Sequence, residues 1–335
     1  NMAVPRHRRV KRMNIVTMFV LYGLTISLMS FKFYCLLKVS HFARNNEFVS
    51  HNPKRRIRAE SIIHNQTSFP RGGKFGPCLN DDFSPSHKIA IVTLNSGDVT
   101  YLNSSIALAL SIRHGKELIP LDLVILEIES HPLASFEDLS RAGWKRCTVE
   151  RIPPPRVPHQ KFLDQFTKLH VWNMTFYDSV IYMDSDTYVI GSIDGLMSLE
   201  IPSEYPLAAT RDFRGYSWKD TFNLGVFKIH PNQHEFYRLL DKRQKNDVDY
   251  EATMCEQSWL SELYPKWLDF GMENNFNIYA GVKIKRTLRR PLQIIHFTMP
   301  KPWECNKRVG YKHVQYLCEI WKHKVNEFWS HRSND

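Results

Sequence analysis

Along this chain the spacing of apolar residues alternates between the two regular periods. Lys88-Ile89-Ala90-Ile91-Val92-Thr93-Leu94 and Leu121–Leu126 are short apolar runs of strand length. Between them lies a helical stretch, with Asn103 or Ser104 as its cap, Arg113 near its end and Gly115 as its stop. Strand, helix and strand in that order predict a right-handed parallel unit. A second helix is expected over Ala134–Ala142 and a third strand over Cys147–Ile152, before Pro153-Pro154-Pro155 breaks regular structure. Helical spacing returns within Lys161–Met174 at Phe162, Phe166, Leu169 and Trp172. It leads into Val180-Ile181-Tyr182-Met183, a buried strand that stops abruptly at Asp184-Ser185-Asp186. Further strands are expected at Tyr188–Ile193, Tyr205–Ala209, Phe222–Ile229 and Pro291–Ile295, the last ending in His296, with helices at Glu235–Arg243 and Glu256–Leu263. Val314, Leu317, Trp321, Val325 and Phe328 space an amphipathic C-terminal helix, whose stripe reads as core packing. The pattern is that of an α/β protein, with a folded domain from residue 87 to residue 335.

The N-terminal part is different. Met13 to Phe31 carries no charge, is long enough to cross a bilayer, and continues through Lys32-Phe33-Tyr34-Cys35-Leu36-Leu37-Lys38. A cleaved signal peptide also has a basic start. The run exceeds a typical signal core and no small-x-small site follows it, so residues 13–38 are read as a retained anchor. Arg6, Arg8, Arg9, Lys11 and Arg12 then place residues 1–12 in the cytoplasm and the body in a lumen, although Lys54, Arg55, Arg56 and Arg58 weaken that asymmetry. Residues 39–86 are polar, without a sustained period, and read as a stem. The formal charge of +11 points to nucleic acid or an anionic membrane until it is located. Residues 1–58 hold 12 of the 45 Lys/Arg and one of the 34 Asp/Glu, which leaves 33 of each sign beyond them. A neutral folded domain argues against general nucleic-acid binding, which needs a basic face.

Six cysteines are present, with no paired Cys-x-x-Cys spacing, which argues against a structural zinc site. Cys35 sits at the membrane end. The odd five that remain, Cys78, Cys147, Cys255, Cys305 and Cys318, leave at least one unpaired within the chain, and Cys305–Cys318 is the local disulfide candidate. Asn65-Gln66-Thr67, Asn103-Ser104-Ser105 and Asn173-Met174-Thr175 match the glycosylation sequon, the last of them just before the central strand.

Chemistry concentrates at the end of that strand. Side chains two apart on an extended chain point the same way, so Asp184 and Asp186 can converge on one cation. Asp and Ser are also common turn residues, and these three residues alone do not separate a turn from a metal site. A lone histidine after an apolar strand is usually structural. His296 as a third ligand, however, would give two carboxylates and an imidazole, a set that suits Mn²⁺, with Mg²⁺ the harder alternative. Lys301, five residues on, would then reach a phosphate oxygen, and metal and lysine together would form a diphosphate clamp. No G-x-G-x-x-G follows the first strand, so the dinucleotide-dehydrogenase fingerprint is absent.

These residues resemble glycosyltransferase family 8 and, within it, the glycogenin-like branch. Phe166-Thr167-Lys168-Leu169 leading to Met183-Asp184-Ser185-Asp186-Thr187 is similar to the branch's Leu-Thr-Lys-Leu helix and Met-Asp-x-Asp-Thr motif. Phe222-Asn223-Leu224-Gly225-Val226 resembles its Phe-Asn-Ser-Gly-Val strand, and His296 to Trp303 its His-x-x-Gly-x-Lys-Pro-Trp ending. Val92-Thr93-Leu94, with Tyr101 beyond, resembles its nucleotide-binding strand and loop. The resemblance implies a GT-A fold, with a Rossmann-like nucleotide-binding mixed sheet flanked by helices, a UDP-sugar donor, Mn²⁺, and transfer with retention. It implies Asp184, Asp186 and His296 as metal ligands. Lys168, Ser185 and Lys301 would lie against the donor, Leu94 and Tyr101 at the uridine, Asn223 and Gly225 at the sugar, and Glu256 and Gln257 near the reacting carbon.

The chain departs from the family pattern at three positions. Leu224 replaces a small Ser and is expected to narrow the sugar pocket, Met299 stands where Gly is usual, and Glu256 replaces Asp. The spacing from His296 to Lys301 is nearer to the plant Golgi relatives that add glucuronic acid to xylan than to glycogenin. Asn274-Asn275-Phe276-Asn277-Ile278-Tyr279 reads as a structural loop rather than a self-glucosylated tyrosine loop. The expected protein is therefore a Golgi membrane enzyme with a lumenal body. It would transfer glucose or glucuronic acid, with Arg211 and Arg214 as candidate partners of a donor carboxylate, to a glycan, lipid or protein acceptor. Two other readings stand beside it: a catalytically silent binding module on the same fold, and an inverting transferase, which would need a base carboxylate.

Overall fold

A computed structural model of the protein describes residues 76–95, 99–115, 119–133, 135–156, 162–214, 217–278, 291–305 and 312–331. The basic tail, the expected anchor at 13–38 and most of the stem lie outside the described residues. Among the described residues no helix is long and apolar enough to cross a membrane.

A seven-stranded sheet in the order β3-β2-β1-β4-β7-β6-β8 organises the molecule. Its strands are β1 (Ile89–Asn95), β2 (Asp122–Ile128), β3 (Lys145–Val149), β4 (Ser179–Met183), β6 (Ala208–Arg214), β7 (Ser217–Ile229) and β8 (Leu268–Asp269). β3, β2, β1 and β4 run parallel. β7 pairs antiparallel with β4 and with β6, so the sheet is mixed. A smaller sheet in the order β5-β10-β9, from Thr187–Val189, Ile294–His296 and Phe276–Asn277, stands beside it.

Both faces of the large sheet are covered, which is why its strands read as continuous apolar runs. Alternate residues serve opposite faces. Ala90, Val92, Leu94, Val124 and Leu126 pack under α4 (Gln233–Lys245), α5 (Cys255–Leu263) and the 3₁₀ segment Gln165–Asn173. Ile91, Leu123 and Ile125 pack under α1 (Val99–Gly115), α2 (Phe136–Ala142) and α3 (Asp194–Met197). The C-terminal helix α6 (Lys312–Ser330) places Val314, Cys318, Trp321 and Val325 against Tyr188, Ile295 and Phe297 of the small-sheet region.

Three sequence expectations differ from the structure in informative ways. The first helix begins at Val99, not at Asn103 or Ser104. Ser105 sits inside it and donates to the carbonyl of Tyr101 at 3.1 Å, so the local polar residues bond within the helix rather than cap it. The amphipathic stretch before β4 is a 3₁₀ segment, Gln165–Asn173, shorter than the helix its apolar spacing predicts. Residues 76–86, expected as the end of the stem, lie against β3. Cys78 is disulfide-bonded to Cys147, Leu79 N–H donates to Thr148 O at 2.7 Å, and Thr148 N–H donates to Asn80 Oδ1 at 2.9 Å. This segment covers an edge strand that would otherwise expose unpaired backbone. The second disulfide joins Cys305 to Cys318, the pair expected from spacing, and Cys255 is free and buried.

Candidate active site

The site lies at the carboxyl ends of the parallel strands, where open α/β sheets bind ligands. β4 ends at Met183, and Asp184 continues its pairing with β7 by donating N–H to Gly225 O at 2.7 Å. The chain then turns. Thr187 N–H donates to Asp184 O at 2.9 Å and Thr187 Oγ1 donates to the same oxygen at 2.7 Å. Asp184-Ser185-Asp186-Thr187 is therefore a turn as well as a candidate ligand loop, and the two readings of this stretch are one structure. Convergence of the carboxylates comes from the turn and not from extended alternation. β10 pairs antiparallel with β5 and sets His296 opposite Thr187, while Phe297 N–H donates to Asp186 O at 3.0 Å. A histidine 110 residues away in sequence thus arrives beside both aspartates, with Nε2 3.4 Å from Asp186 Oδ1 and 3.8 Å from Asp184 Oδ2.

Among the described residues, Asp184, Asp186 and His296 form a group whose potential ligand atoms lie within 4.8 Å of one another. Cis ligands about 2.1 Å from an octahedral ion are ~3 Å apart, so small side-chain adjustments suffice to hold a divalent cation. Two cationic residues flank the carboxylates. Lys168 Nζ lies 2.9 Å from Asp184 Oδ1 and 2.7 Å from Glu256 Oε1, over the ring of Tyr182. Lys301 Nζ is bonded to Asp186 Oδ2. Burial would raise the Asp186 carboxyl, but its interactions with His296 and Lys301 outweigh that and hold the group well below the usual carboxylate range. Burial would likewise lower Lys168, yet Asp184 and Glu256 keep its ammonium protonated far above the ordinary lysine range. Burial pushes Glu256 up against the pull of Lys168.

β7 and α5 supply the neighbouring wall. Asn223 Oδ1 accepts from Gly225 N–H at 2.9 Å, and Asn223 Nδ2 donates to the buried Asp212 at 3.1 Å. A Cβ on Gly225 would lie 2.1 Å from His296 Cε1, so the imidazole packs where a side chain would stand. Gln257 Oε1 accepts from Leu224 N–H at 3.1 Å. Leu224 does not narrow this wall: its side chain is 1% exposed and belongs to the apolar core. Leu94 lies two residues past the Val92–Tyr182 pair, level with Asp184. Tyr101 packs edge-on against Trp303, with ring centroids 5.0 Å apart, and lies close enough to Lys301 to act on its charge. Ser185 is buried in the turn.

The structure therefore gathers Lys168, Asp184, Ser185, Asp186, Glu256, His296 and Lys301 into one place, with Asn223, Gly225 and Gln257 adjoining. Arg211 is engaged elsewhere: its Nε donates to Lys219 O at 2.9 Å and its guanidinium pairs with Asp220. The Arg214 side chain and Tyr279 lie outside the described residues. Met299, in the loop before Lys301, is 62% exposed. Two residues join the site that sequence reasoning left aside. Asp212 follows an arginine in a polar stretch, and Asn275 stands in an asparagine-rich run that resembles a loop. Only pairing across β6, β7 and β10 brings them in.

A family model, Glycosyl transferase family 8, matches residues 97–307. The chain is 31% identical over 225 residues to putative UDP-glucuronate:xylan alpha-glucuronosyltransferase 5 of Arabidopsis thaliana, covering 66% of this chain and 37% of that protein. It is 28% identical over 172 residues to glycogenin-1 of Caenorhabditis elegans, covering 48% and 38% respectively. The chain thus spans little more than a third of the length of these relatives. Among solved structures, the galactosyltransferase LgtC in complex with donor and acceptor sugar analogs superposes with a TM-score of 0.53 at 16% identity, over 71% of this chain and 95% of that one.

Proposed function

The chain belongs to glycosyl transferase family 8, and from that premise we propose that it transfers a sugar from a UDP-sugar to an acceptor hydroxyl with retention at the anomeric carbon. The observation that carries this reading is the convergence of Asp184, Asp186 and His296, flanked by Lys301, at the strand ends. A bound divalent ion, Mn²⁺ first and Mg²⁺ second, supplies Lewis-acid stabilisation of the departing diphosphate. Lys301 adds a second positive charge by exchanging Asp186 for a phosphate oxygen. Lys168 keeps Asp184 and Glu256 from repelling one another. Leu94 and Tyr101 border the uridine, and Asn223, Gly225 and Asp212 border the sugar.

Glu256 and Gln257 favour same-face attack over a covalent intermediate. Glu256 is held by Lys168 at 2.7 Å and buried, so it is poorly placed to act as a free nucleophile. Gln257 commits its amide oxygen to Leu224, which leaves its NH₂ to donate to substrate. In this path the acceptor oxygen bonds to the anomeric carbon as the carbon–phosphate oxygen bond breaks, and the acceptor proton passes to the leaving diphosphate. Glucose and glucuronic acid are the favoured donor sugars, the second suggested by the plant relatives' names. The acceptor is a glycan, lipid or protein. Two disulfides suit an oxidising lumen. With the expected anchor at 13–38 they support a Golgi type II membrane protein whose catalytic domain is lumenal.

The test is turnover of a panel of UDP-sugars by the full chain with Mn²⁺, alongside Asp186→Ala. One donor consumed, with the activity lost in the variant and an α-linked product from an α-linked donor, is the expected result. A β-linked product overturns retention. Absence of both turnover and Mn²⁺-dependent UDP binding overturns the enzyme reading in favour of a silent binding module.

A further inference from the structure

The imidazole of His296 is not held by its two aspartate neighbours alone. Behind it runs a file of buried polar groups. His296 Nδ1 lies 3.0 Å from Asn275 Oδ1, Asn275 Nδ2 lies 2.8 Å from Asn223 Oδ1, and Asn223 Nδ2 lies 3.1 Å from Asp212 Oδ1. Each of the four residues at its links, His296, Asn275, Asn223 and Asp212, sits on a different strand or loop.

The direction of this file is fixed by groups that have no choice. The backbone N–H of Gly225 can only donate, and it donates to Asn223 Oδ1 at 2.9 Å. That oxygen is therefore an acceptor, and Asn223 must turn its NH₂ toward the Asp212 carboxylate. Asn275 then meets an acceptor on the Asn223 side and must donate to it with Nδ2. Its Oδ1 is left facing His296 Nδ1, which must carry the hydrogen. The neutral imidazole is thereby held as the Nδ1–H tautomer, with the Nε2 lone pair toward Asp184 and Asp186. Gly225 enforces the same pose sterically, since a Cβ there would fall 2.2 Å from Nδ1.

We infer that Asn275 is a positioning residue: it selects the His296 tautomer that presents Nε2 to a divalent cation and ties that ligand to Asn223 at the sugar side of the site. This inference rests on the metal-dependent function proposed above. Metal-bound histidines commonly donate their other N–H to a carbonyl or carboxylate, and loss of such a partner costs about 10–100-fold in metal affinity. Here a side-chain amide carbonyl fills the role, and its own orientation is set two links away by a backbone N–H and a carboxylate.

The experiment uses the purified full chain and MnCl₂ as the probe. Calorimetric titration gives the Mn²⁺ affinity of the wild type, Asn275→Leu and Asn275→Asp. Nitrogen-15 spectra of the protein saturated with diamagnetic Mg²⁺, with the His296 signal assigned by its loss in His296→Gln, give the tautomer. The wild type is expected to show Nδ1–H. Asn275→Leu, which removes the acceptor at similar size, is expected to weaken Mn²⁺ binding by about 10–100-fold and to lose the single tautomer. Asn275→Asp, which keeps an acceptor facing Nδ1 but cannot donate to Asn223 Oδ1, is expected to retain the tautomer and to lose less affinity than Asn275→Leu. Mn²⁺ binding by Asn275→Leu equal to wild type, or equal losses in the Leu and Asp variants, would overturn the role of Asn275. An Nε2–H wild type would overturn it without any substitution, so a variant that fails to fold does not shield the inference. A wild type that binds no Mn²⁺ would overturn the metal-dependent function itself, an outcome distinct from binding that Asn275 does not affect.

Discussion

A methyl group added at Gly225 would lie 2.1 Å from Cε1 and 2.2 Å from Nδ1 of His296, with Asn223 Oδ1 at 3.0 Å. Neither neighbour is free to retreat, because both are bonded to Asn275. Gly225→Ala is therefore expected to displace the imidazole and weaken Mn²⁺ binding by about tenfold or more, read by calorimetry. The adjacent Leu224 separates packing from recognition. Its side chain lies in the core beneath α5, so Leu224→Ala is expected to cost about 2–5 kcal/mol of stability in denaturant unfolding. The relative turnover of different UDP-sugars should stay unchanged; a changed donor preference would show that the side chain reaches the sugar after all. At this scale the candidate metal ligands, Lys168 and Lys301 were legible because their chemistry is written in residue type. The direction of Leu224 was not, since strand alternation assigns a face only once the sheet's neighbours are known. Asn275 was invisible for the same reason: its loop resembles any polar loop until it meets β10.

The 3₁₀ segment Gln165–Asn173 carries Lys168 into the site and His170 into the core. His170 Nε2–H donates to Glu150 O at 2.8 Å, its ring packs on Phe236, and burial pulls its pKa from 6.5 down to about 4. A depressed histidine pKa means that the unfolded chain binds a proton in a range where the folded chain does not. Stability contributed by neutral His170 is thus fully present above about pH 6.5 and is lost as pH falls toward 4, by about 3 kcal/mol. His170→Gln keeps an N–H toward Glu150 without a titrating group. Its melting temperature is expected to fall less from about pH 7 to about pH 4 than that of the wild type; parallel pH profiles would refute this account. Element types and their order were largely readable from apolar periodicity. The ends were not, because Asn103 and Ser104 resemble a cap in sequence yet lie inside α1, Ser104 fully buried.

Across the whole molecule, covalent and modification chemistry report on the compartment. The Cys78–Cys147 bond closes a separation of 69 residues and holds the segment after the stem along β3. By chain entropy such a loop contributes about 4 kcal/mol, so Cys78→Ala with Cys147→Ala should lower the melting temperature markedly, while reductant should lower that of the wild type at least as far and that of the variant by less, since only Cys305–Cys318 remains there to be reduced. Of the three sequons, Asn173 is fully buried and Asn103 accepts from Trp329 Nε1 at 2.9 Å. If the body is lumenal, glycosidase should remove a single glycan and Asn65→Gln should abolish that shift on a gel; a glycan at Asn173 would contradict its burial, and one at Asn103 its bond to Trp329. The sequence by itself determined the α/β alternation, the uncharged run at 13–31, the identity of the carboxylates, histidine and lysines, and the family they resemble. These are properties of residue type and short spacing. Tertiary structure alone decided which of those residues meet. The antiparallel return of β7 and β10 carries Gly225, Asn223 and His296 to the turn after β4, and it directs Leu224 inward. It also lines up Asn275 behind the imidazole, because contacts between residues far apart in the chain are fixed by strand register, which no local pattern encodes.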